Sequence, residues 1–418
     1  MKPYYADESV TLYHGDCLEV LATLPDASVD AVVTDPPYEL LFMSRSWDGS
    51  GIAYSVPMWA HCLRVLKPGG HLLAFGGTRT YHRMACAIED AGFEIRDSIH
   101  WTYGSGFPKS LDVSKAIDKA AGATPLDLGV SPNWRESKRN REASGRMEVR
   151  GENAGRITAP ATDAARQWQG WGTALKPSHE PIVVARKPLS GTVAATVLEH
   201  GTGAINVDAC RVGTGEDTRR NAAGGDNGLL GTGTFKIRER RAEDQPERGG
   251  RWPANTILTH AADCGDVCGP SCPVAEMDRQ SGVSAGRVGM TKHGSGTNAV
   301  YGKYARSEQS TVIDGTPDYG GASRFFHTFY YTAKASSNER PDADGTRHPT
   351  VKPLDLMRWL VRLITPPGGT VLEPFAGSGT TAEACVVEGL HCIAIERETD
   401  YLPLIVARLT KPIERTLL

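Results

Sequence analysis

The chain has 418 residues, 23% of them charged, and a formal net charge of −3 at pH 7. This length is enough for two domains, or for one α/β domain with a large insertion, at roughly 100–200 residues per domain. The charge excludes a uniformly basic nucleic-acid binder, although it leaves room for a local basic surface.

Predicted secondary structure alternates in the first block of the chain and becomes sparse after it. Apolar runs predict strands at 10–13, 30–34, 70–75 and 93–101, and helical spacing predicts helices at 56–66 and 80–91. From about 104 to 340 the chain is rich in Gly, Pro, Arg, Ser and Thr, which indicates a loop-rich insertion. Within it, His179–Lys187 is a predicted strand that we expect to pair antiparallel with 93–101.

The alternating pattern resumes after His348, with predicted helices at 353–364, 380–388 and from 401, and predicted strands at 370–373 and 392–396. Such alternation is typical of a parallel sheet, so we expect the two ends of the chain to share one sheet. No run of 18 or more apolar residues occurs, and 1–10 lacks a basic segment followed by an apolar one. We therefore expect a cytoplasmic, nucleoid-associated protein.

A glycine-rich turn follows the predicted strand at 370–373. The segment 371–381 reads VLEPFAGSGTT, in which Gly377 and Gly379 precede a helix. Glycine lets a ligand approach the backbone, and a helix N-terminus offers free N–H groups. Glu396, at the end of the next strand, stands where an acid would accept hydrogen bonds from ribose hydroxyls. A ligand-free tight turn is the alternative, but the combination favours a nucleoside without phosphates, such as S-adenosylmethionine.

A second motif ends the predicted strand at 30–34. The segment 31–38 reads AVVTDPPY. Two consecutive prolines fix φ and remove two N–H donors, so the strand must end there with carbonyl groups pointing outward. Asp35 and the Pro36 carbonyl can then accept hydrogen bonds from an amino group, while Tyr38 can stack on a planar ring. This suits the exocyclic amino group of a flipped adenine or cytosine, although a turn that merely ends a strand is the alternative.

Together, DPPY and EPFAGSGTT resemble the motifs of prokaryotic and phage DNA amino-methyltransferases of the β arrangement, in which Asp-Pro-Pro-Tyr precedes the methyl-donor motif. The resemblance implies an α/β, Rossmann-like S-adenosylmethionine-dependent methyltransferase fold, with a seven-stranded, mostly parallel sheet and a permuted motif order. It implies a catalytic role, without a metal, for Asp35, Pro36, Pro37 and Tyr38. The HGDC, HPTVKP and EPFAGSGTT segments and the strand after them would bind S-adenosylmethionine through Asp16, Cys17, His348, Thr350, Lys352, Glu373, Pro374, Phe375, Ala376, Gly377, Ser378, Gly379, Thr380 and Glu396. The segment 174–188, ALKPSHEPIVVARKP, also resembles phage-type members.

The same resemblance implies a division into three parts. Residues 1–189 would form the first half of the catalytic sheet, with a basic loop at about 104–175, and 341–418 would complete that sheet. The large loop-rich insertion 190–340 would be the target-recognition region. The loop 42–51, with Ser46, Trp47 and Asp48, follows Asp-Pro-Pro-Tyr closely enough to touch the flipped base or its neighbours, and a core role is the alternative for Trp47. Double-stranded DNA is the expected partner and a membrane is not, whereas a homodimer and a separate restriction endonuclease remain open.

Two arginine-rich segments are candidates for phosphate contact. A mobile loop of mixed charge is the alternative for each of their members. They consist of Arg135, Lys138, Arg139, Arg141, Arg146, Arg150 and Arg156, and of Arg238, Arg240, Arg241, Arg248 and Arg251.

The nine cysteines are odd in number and scattered along the chain. They fit reduced thiols better than a disulfide framework. Cys264, Cys268 and Cys272 follow His260 at spacings of four and could hold zinc, but no Cys-x-x-Cys pair occurs among them. The spacing alone therefore favours free thiols.

We expect direct in-line transfer of a methyl group to an amino nitrogen, by positioning and charge stabilisation. The leading Asp35 favours adenine N6 over cytosine N4, because a leading serine is commoner in the cytosine enzymes of the family. Methylation of RNA or of a protein glutamine, and a catalytically silent DNA-binding role, remain open as well.

Overall fold

The computed structural model describes residues 1–40, 46–104, 106, 110–132, 155–213, 250–261, 264, 267–269, 272–285, 297–298, 302–303, 319–329, 348 and 350–411. Most of the predicted target-recognition region lies outside these ranges, as do all members of the two arginine-rich segments except Arg156 and Arg251. The chain forms two compact units, 106–178 and the remainder.

The larger unit is built on one mixed sheet, which has ten strands in the described part of the chain. Its spatial order is β1-β2-β10-β9-β3-β4-β6-β5-β7-β8. In chain order the strands are β1 Tyr5–Ala6, β2 Val10–His14, β3 Val29–Thr34, β4 Leu66–Phe75, β5 Glu94–Thr102, β6 His179–Arg186, β7 Thr256–Thr259, β8 His327–Phe329, β9 Thr370–Glu373 and β10 His391–Glu396.

Most neighbouring strands of this sheet are parallel, as predicted. The two ends of the chain do share it, because β9 pairs with β3. The predicted antiparallel pairing of the strand at His179 is also confirmed, since β6 lies between β4 and β5 and is antiparallel to both. The seven expected strands become ten because the short β1 adds an edge and the 190–340 segment contributes β7 and β8.

Eight helices of the larger unit have described bounds. They are α1 Cys17–Thr23, α2 Val56–Val65, α3 Tyr81–Asp90, α4 Val193–His200, α5 Pro273–Ser281, α6 Leu354–Ile364, α7 Thr380–Val387 and α8 Leu402–Thr410. Local sequence explains where several of them begin. Asp16 caps α1 by accepting a hydrogen bond from the Leu18 N–H at 2.9 Å, and Ser55 caps α2 with a proline in the first turn.

Helices cover both faces of the sheet, which buries its strands on both sides. Along β3, Ala31 and Val33 belong to one apolar cluster together with residues of α6, α7 and α8. Val29 and Val32 belong to the other, together with residues of α1, α2 and α3. Alternation of side chains along a strand separates Val32 from Ala31 and Val33, and a register shift between Val29 and Ala31 accounts for Val29 lying with Val32. With both faces covered, the strand ends are the open places for a site.

The smaller unit, 106–178, contains two short helices, Val113–Ala120 and Asp163–Gln167, and an antiparallel strand pair, Leu126–Val130 with Arg156–Ala159. Its best-defined contact is the buried carboxylate of Asp118, which accepts hydrogen bonds from the Ala161 and Thr162 N–H groups at 2.8 and 3.1 Å. In neither unit is a described helix long and apolar enough to cross a membrane.

Candidate active site

The candidate site lies at the carboxyl ends of four adjacent parallel strands, β2, β10, β9 and β3. Each of these ends carries a predicted site residue. Asp16 follows β2, Glu396 ends β10, the glycine turn follows β9, and Asp35 follows β3. Ligands of open α/β sheets bind at this edge because loops and helix N-termini converge there. The tertiary structure therefore brings together motifs that lie more than 300 residues apart in the chain.

The two principal motifs are joined directly through the carboxyl group of Glu373, which is only 1% exposed. Thr34, the last residue of β3, donates to its Oε1 at 2.5 Å, and Thr381 donates to its Oε2 at 2.6 Å. The Phe375 N–H also donates to Oε1 at 3.0 Å. Burial raises the pKa of Glu373 to about 8, against the opposing effect of these donors. Glu373, predicted to bind the cofactor, is thus a buried link between the strand ends.

Asp35 lies in a polar network with Lys352. The Lys352 ammonium is 2.6 Å from Asp35 Oδ2, 3.1 Å from the Tyr38 hydroxyl and 3.4 Å from a carboxylate oxygen of Glu180. The Tyr38 hydroxyl in turn donates to Glu180 at 2.7 Å. Lys352 also stands 4.7 Å from the centre of the Phe75 ring. These contacts place Lys352, predicted as a cofactor ligand, against the predicted catalytic motif.

The charges of this network follow from its burial and its partners. Desolvation disfavours the charged form of Lys352, but the carboxylates of Asp35 and Glu180 outweigh it and raise the pKa of Lys352. Burial and the same two carboxylates raise the pKa of Tyr38 well above its ordinary value. The network therefore holds a cationic lysine between two carboxylates and a neutral tyrosine.

The two carboxylate oxygens of Asp35 differ in their contacts. Oδ2 contacts Lys352, whereas Oδ1 is a buried atom with no hydrogen-bond partner in the described part of the chain. A buried acceptor without a partner is costly, and such atoms in native proteins call for an explanation. An amino group brought into the site would supply the missing donor.

The loop after the prolines is held by Asp48, which is 2% exposed. Its Oδ1 accepts hydrogen bonds from the N–H groups of Tyr38 and Glu39 at 2.8 and 3.1 Å, and its Oδ2 accepts one from Leu40 at 3.3 Å. Glu39 has a φ of 56°, in the left-handed region that a residue with a side chain rarely adopts. The Thr80 hydroxyl adds a hydrogen bond to the Tyr38 carbonyl at 2.8 Å. Asp48 thus fixes the backbone of the motif through buried contacts.

The glycine turn has the conformation that its sequence predicts. Gly377 and Gly379 have φ values of 51° and 78°, and Gly379 immediately precedes α7. A Cβ atom at Gly377 would lie 3.2 Å from His348 Nε2, so the two predicted cofactor residues are in close contact. The His348 ring meets the Tyr401 ring edge to face at 4.5 Å between centroids. Burial lowers the pKa of His348 to about 4, so this imidazole is neutral.

Glu396 completes the turn from the neighbouring strand. Its Oε2 accepts a hydrogen bond from the Gly377 N–H and its Oε1 accepts one from the Glu398 N–H, both at 2.7 Å. Burial raises the pKa of Glu396 to about 7, although these donors oppose the shift. Because each oxygen has a second lone pair, the carboxylate can still accept from ribose hydroxyls.

The predicted site residues differ in their exposure to solvent. Pro37, Phe375, Gly377, Asp16 and Lys352 are half-buried and Thr350 is exposed, and all of them are near strand ends. Those that are buried are Pro36, Cys17, Pro374, Ala376, Ser378, Gly379 and Thr380. Within this second group, the Ser378 and Thr380 hydroxyls are hydrogen-bonded to each other at 3.0 Å. A side-chain role in ligand contact is therefore better supported for the half-buried residues.

Several residues of the site were not among the predicted site residues, and Glu180, Thr34 and Tyr401 illustrate why. Glu180 comes from β6, whose sequence is a continuous apolar run after HEP, and only its place in the family-like segment 174–188 could have drawn attention to it. Thr34 and Tyr401 carry no sequence signal, because their importance depends on contacts with Glu373 and His348 from distant parts of the chain.

A family model described as "DNA methylase", for N6 and N4 amino-methyltransferases, matches residues 29–407 of this chain. The match includes both principal motifs. The chain belongs to this family. Membership confirms the predicted resemblance and fold type, and it agrees with the prediction of S-adenosylmethionine as the cofactor.

Two curated relatives of this DNA methylase family member are type II methyltransferases. M.BamHI of Bacillus amyloliquefaciens is 37% identical over 84 residues, which cover 18% of this chain and 19% of the relative. M2.LlaDCHI of Lactococcus lactis subsp. cremoris is 30% identical over 119 residues, which cover 24% of this chain and 44% of the relative. The matches span less than half of each relative.

Two solved structures are similar over most of their length, at low identity. One, from Thermus thermophilus, is described as a DNA modification methylase; it is 17% identical with a TM-score of 0.39, and the alignment covers 96% of this chain and 94% of that one. The other is the cytosine-N4-specific PvuII DNA methyltransferase, at 13% identity and a TM-score of 0.43, covering 98% and 89%. Family membership rests on the family model and not on these likenesses.

Proposed function

We propose that the protein transfers a methyl group from S-adenosylmethionine to the exocyclic amino nitrogen of a base in DNA. The observation that carries this proposal is the meeting of Asp-Pro-Pro-Tyr and the glycine turn at the ends of two paired strands, β3 and β9. A methyl donor in the turn and an amino group beside Asp35 would then face each other. Membership in the DNA methylase family supports the same reaction.

The donor would occupy the edge formed by Gly377, His348 and Glu396. The fit rests on the positive φ of Gly377, the close approach of His348, and the acceptor capacity of the carboxylate. When bound there, S-adenosylmethionine supplies an electrophilic methyl group on a sulfonium centre. Neutral His348 adds no positive charge next to that centre, because burial keeps its pKa near 4.

The acceptor nitrogen would be held by Asp35. Lys352 occupies Oδ2 of this carboxylate, so Oδ1 accepts an N–H bond from the amino group, and the Pro36 carbonyl accepts the second. These two acceptors turn the nitrogen lone pair out of the ring plane toward the methyl group. Tyr38 would stack on the flipped base, and its ring position is fixed because its hydroxyl donates to Glu180 and accepts from Lys352. Methyl transfer would form the N–C bond as the sulfonium–methyl bond breaks and a neutral thioether leaves, and Asp35 would accept the proton that the nitrogen loses.

Adenine N6 is the target base position that we favour, because the motif begins with aspartate. Cytosine N4 is the alternative, and the PvuII enzyme is described as cytosine-N4-specific. The two amino groups differ little in chemistry, so this preference rests on the family resemblance, in which a leading serine is commoner in the cytosine enzymes. Double-stranded DNA is the proposed substrate, with 190–340 reading the sequence.

The type II relatives support a role in restriction and modification. A separate endonuclease that cuts the same unmethylated sequence would then be the functional partner. In this proposal the present chain supplies only the protecting methylation.

Nucleoside analysis tests the proposed reaction. The purified protein is incubated with unmethylated genomic DNA and labelled S-adenosylmethionine, and the digested nucleosides are identified by mass spectrometry. We expect N6-methyladenine from the wild type and from Asp90→Ala, a control at an exposed carboxylate at the end of α3, and none from Asp35→Ala. N4-methylcytosine would keep the reaction and change the base. Donor binding without any methylated nucleoside would contradict the proposal and favour RNA, a protein substrate or a silent binding role.

A further inference from the structure

Four potential metal ligands come together beside the far edge of the sheet. They are His260, Cys264, Cys268 and Cys272, and one ligand atom from each lies within 4.8 Å of all the others. His260 Nδ1 is 3.3 Å from Cys272 Sγ and 3.4 Å from Cys268 Sγ. No larger group of this kind is found in the described part of the chain. The sequence spacing alone favoured free thiols for these three cysteines.

The two His260–cysteine distances are close to those of a tetrahedral zinc centre, and the group as a whole, within 4.8 Å, is compact enough to surround one ion. Zinc binds thiolate sulfur at about 2.3 Å and imidazole nitrogen at about 2.0–2.1 Å, so neighbouring ligand atoms of a tetrahedron are about 3.5–3.8 Å apart. Three sulfurs and one nitrogen form a common structural set, and soft thiolates select zinc over the oxygen-preferring cations. The Gly269 N–H donates to Cys264 Sγ at 3.3 Å, a contact that stabilises a thiolate ligand.

The surroundings of this cluster also indicate a need for a cross-link. Among the described residues, the local apolar core contains three buried ones, Leu258, Cys272 and Val274. His260 directly follows β7, and its N–H donates to the Phe329 carbonyl at 2.9 Å, next to the end of β8. Cys272 directly precedes α5. A core of this size stabilises little by itself, and small structural elements of this kind are commonly held by a bound metal.

We propose that His260, Cys264, Cys268 and Cys272 bind one structural zinc ion. The ion links α5, Cys264 and Cys268 to the end of β7. With four protein ligands the coordination shell is closed, so the ion has no open position for substrate or water and serves stability, not catalysis. The site does not depend on the proposed reaction, because none of its ligands belongs to either principal motif.

Metal analysis of the full-length protein tests this site. The chain is produced with zinc in the medium, passed over a gel-filtration column without chelator, and measured by elemental mass spectrometry for zinc, iron and copper. We expect about one zinc per chain in the wild type and in Cys86→Ser, a control at an exposed cysteine of α3. Cys268→Ser removes the exposed ligand and should lose most of the zinc, whereas Cys268→His, which keeps a ligand there, should retain it.

Cobalt substitution provides a second readout that does not require a folded variant. Co²⁺ added to zinc-depleted wild-type protein should give the visible absorption of a tetrahedral site with thiolate charge transfer, and this absorption should disappear on addition of zinc. Wild-type protein that holds no metal, gives no such spectrum and keeps these thiols freely reactive in the presence of zinc would overturn the proposal. So would zinc retained equally by a variant lacking Cys264, Cys268 and Cys272.

Discussion

Replacing Asp48 with alanine removes the carboxylate that fixes the loop after the two prolines. The N–H groups of Tyr38 and Glu39 lose their acceptor, and Leu40 loses a weaker one. Because Glu39 has a φ of 56°, the loop is free to relax toward a commoner conformation once these contacts are gone. We expect the Tyr38 ring to lose its fixed position and methyl transfer to slow.

The size of the effect follows from the two shorter contacts. A hydrogen bond to a charged group contributes roughly 1.5–3 kcal/mol, so two at the lower value amount to about 3 kcal/mol. If that free energy is lost from the catalytically ordered loop, the rate falls about 100-fold, at about 1.4 kcal/mol per tenfold change. Asp48→Asn keeps one acceptor oxygen for Tyr38 and Glu39 but faces Leu40 with an amide N–H, and we expect a loss of about tenfold.

Single-turnover transfer of labelled methyl groups to DNA and calorimetric donor binding separate the two possible consequences. We expect the transfer rate to fall in the order wild type, Asp48→Asn, Asp48→Ala, with donor affinity changed by less than about twofold, because other strands build the donor turn. Asp90→Ala serves as the control. A rate loss below threefold in Asp48→Ala, or a parallel loss of donor affinity, would refute the reasoning.

Three further predictions concern the strand ends. Because the pKa of Glu373 is raised from 4.5 to about 8, the folded state binds more protons than the unfolded state between these values. The free energy of unfolding therefore falls as the pH rises through this window, by up to about 1.4 kcal/mol per pH unit. In denaturant unfolding, the stability of Glu373→Gln relative to the wild type should rise from about pH 5 to about pH 8 and stay constant above it. Lys352→Gln leaves the carboxylates of Asp35 and Glu180 without the ammonium between them, and we expect kcat to fall about 10- to 100-fold with little change in the Kd for the methyl donor. A loss of donor affinity with unchanged kcat would instead make Lys352 a cofactor ligand. Gly377→Ala places a side chain at a left-handed position against His348, and calorimetry should show methyl-donor binding weakened about tenfold. Gly389→Ala is the control: its φ is 67° and no heavy atom lies within 4 Å of the added Cβ, so it should lower stability only. Equal donor affinities in the two variants would contradict this prediction.

Sequence was sufficient for most of the sheet and helix pattern. The strand Thr370–Glu373 has the bounds that its apolar run predicts, and β2, β3, β5, β6 and β10 differ from the predicted bounds by one or two residues. Most residues of β3, β6, β9 and β10 are buried, so the apolar patterns of these strands are strong, whereas β5 is buried only at Ile99 and Trp101. β7 and β8 escaped prediction because they are short and lie in a Gly- and Pro-rich stretch that lacks the strand–helix alternation around Thr370–Glu373. Pairing with each other and with β5 makes them strands.

The two motifs and the type of chemistry could also be predicted from sequence, because prolines and glycines dictate local backbone geometry wherever they occur. DPPY ends a strand, and Gly377 and Gly379 turn the chain into α7, as the backbone preferences of proline and glycine predict. The role of a polar side chain is different, because it depends on what lies opposite. Lys352 was predicted from its motif to bind S-adenosylmethionine, but its ammonium lies against Asp35.

Only the tertiary structure decided the partners of Glu180, Asp48 and Glu373, and the gathering of His260 with the three cysteines. Each of these contacts joins residues whose spacing in the chain has no fixed relation to their distance in space. Local backbone preferences act over a few residues and are written in the sequence. Ion pairs, buried hydrogen bonds and ligand clusters depend on strand order and register, which the whole sheet determines at once.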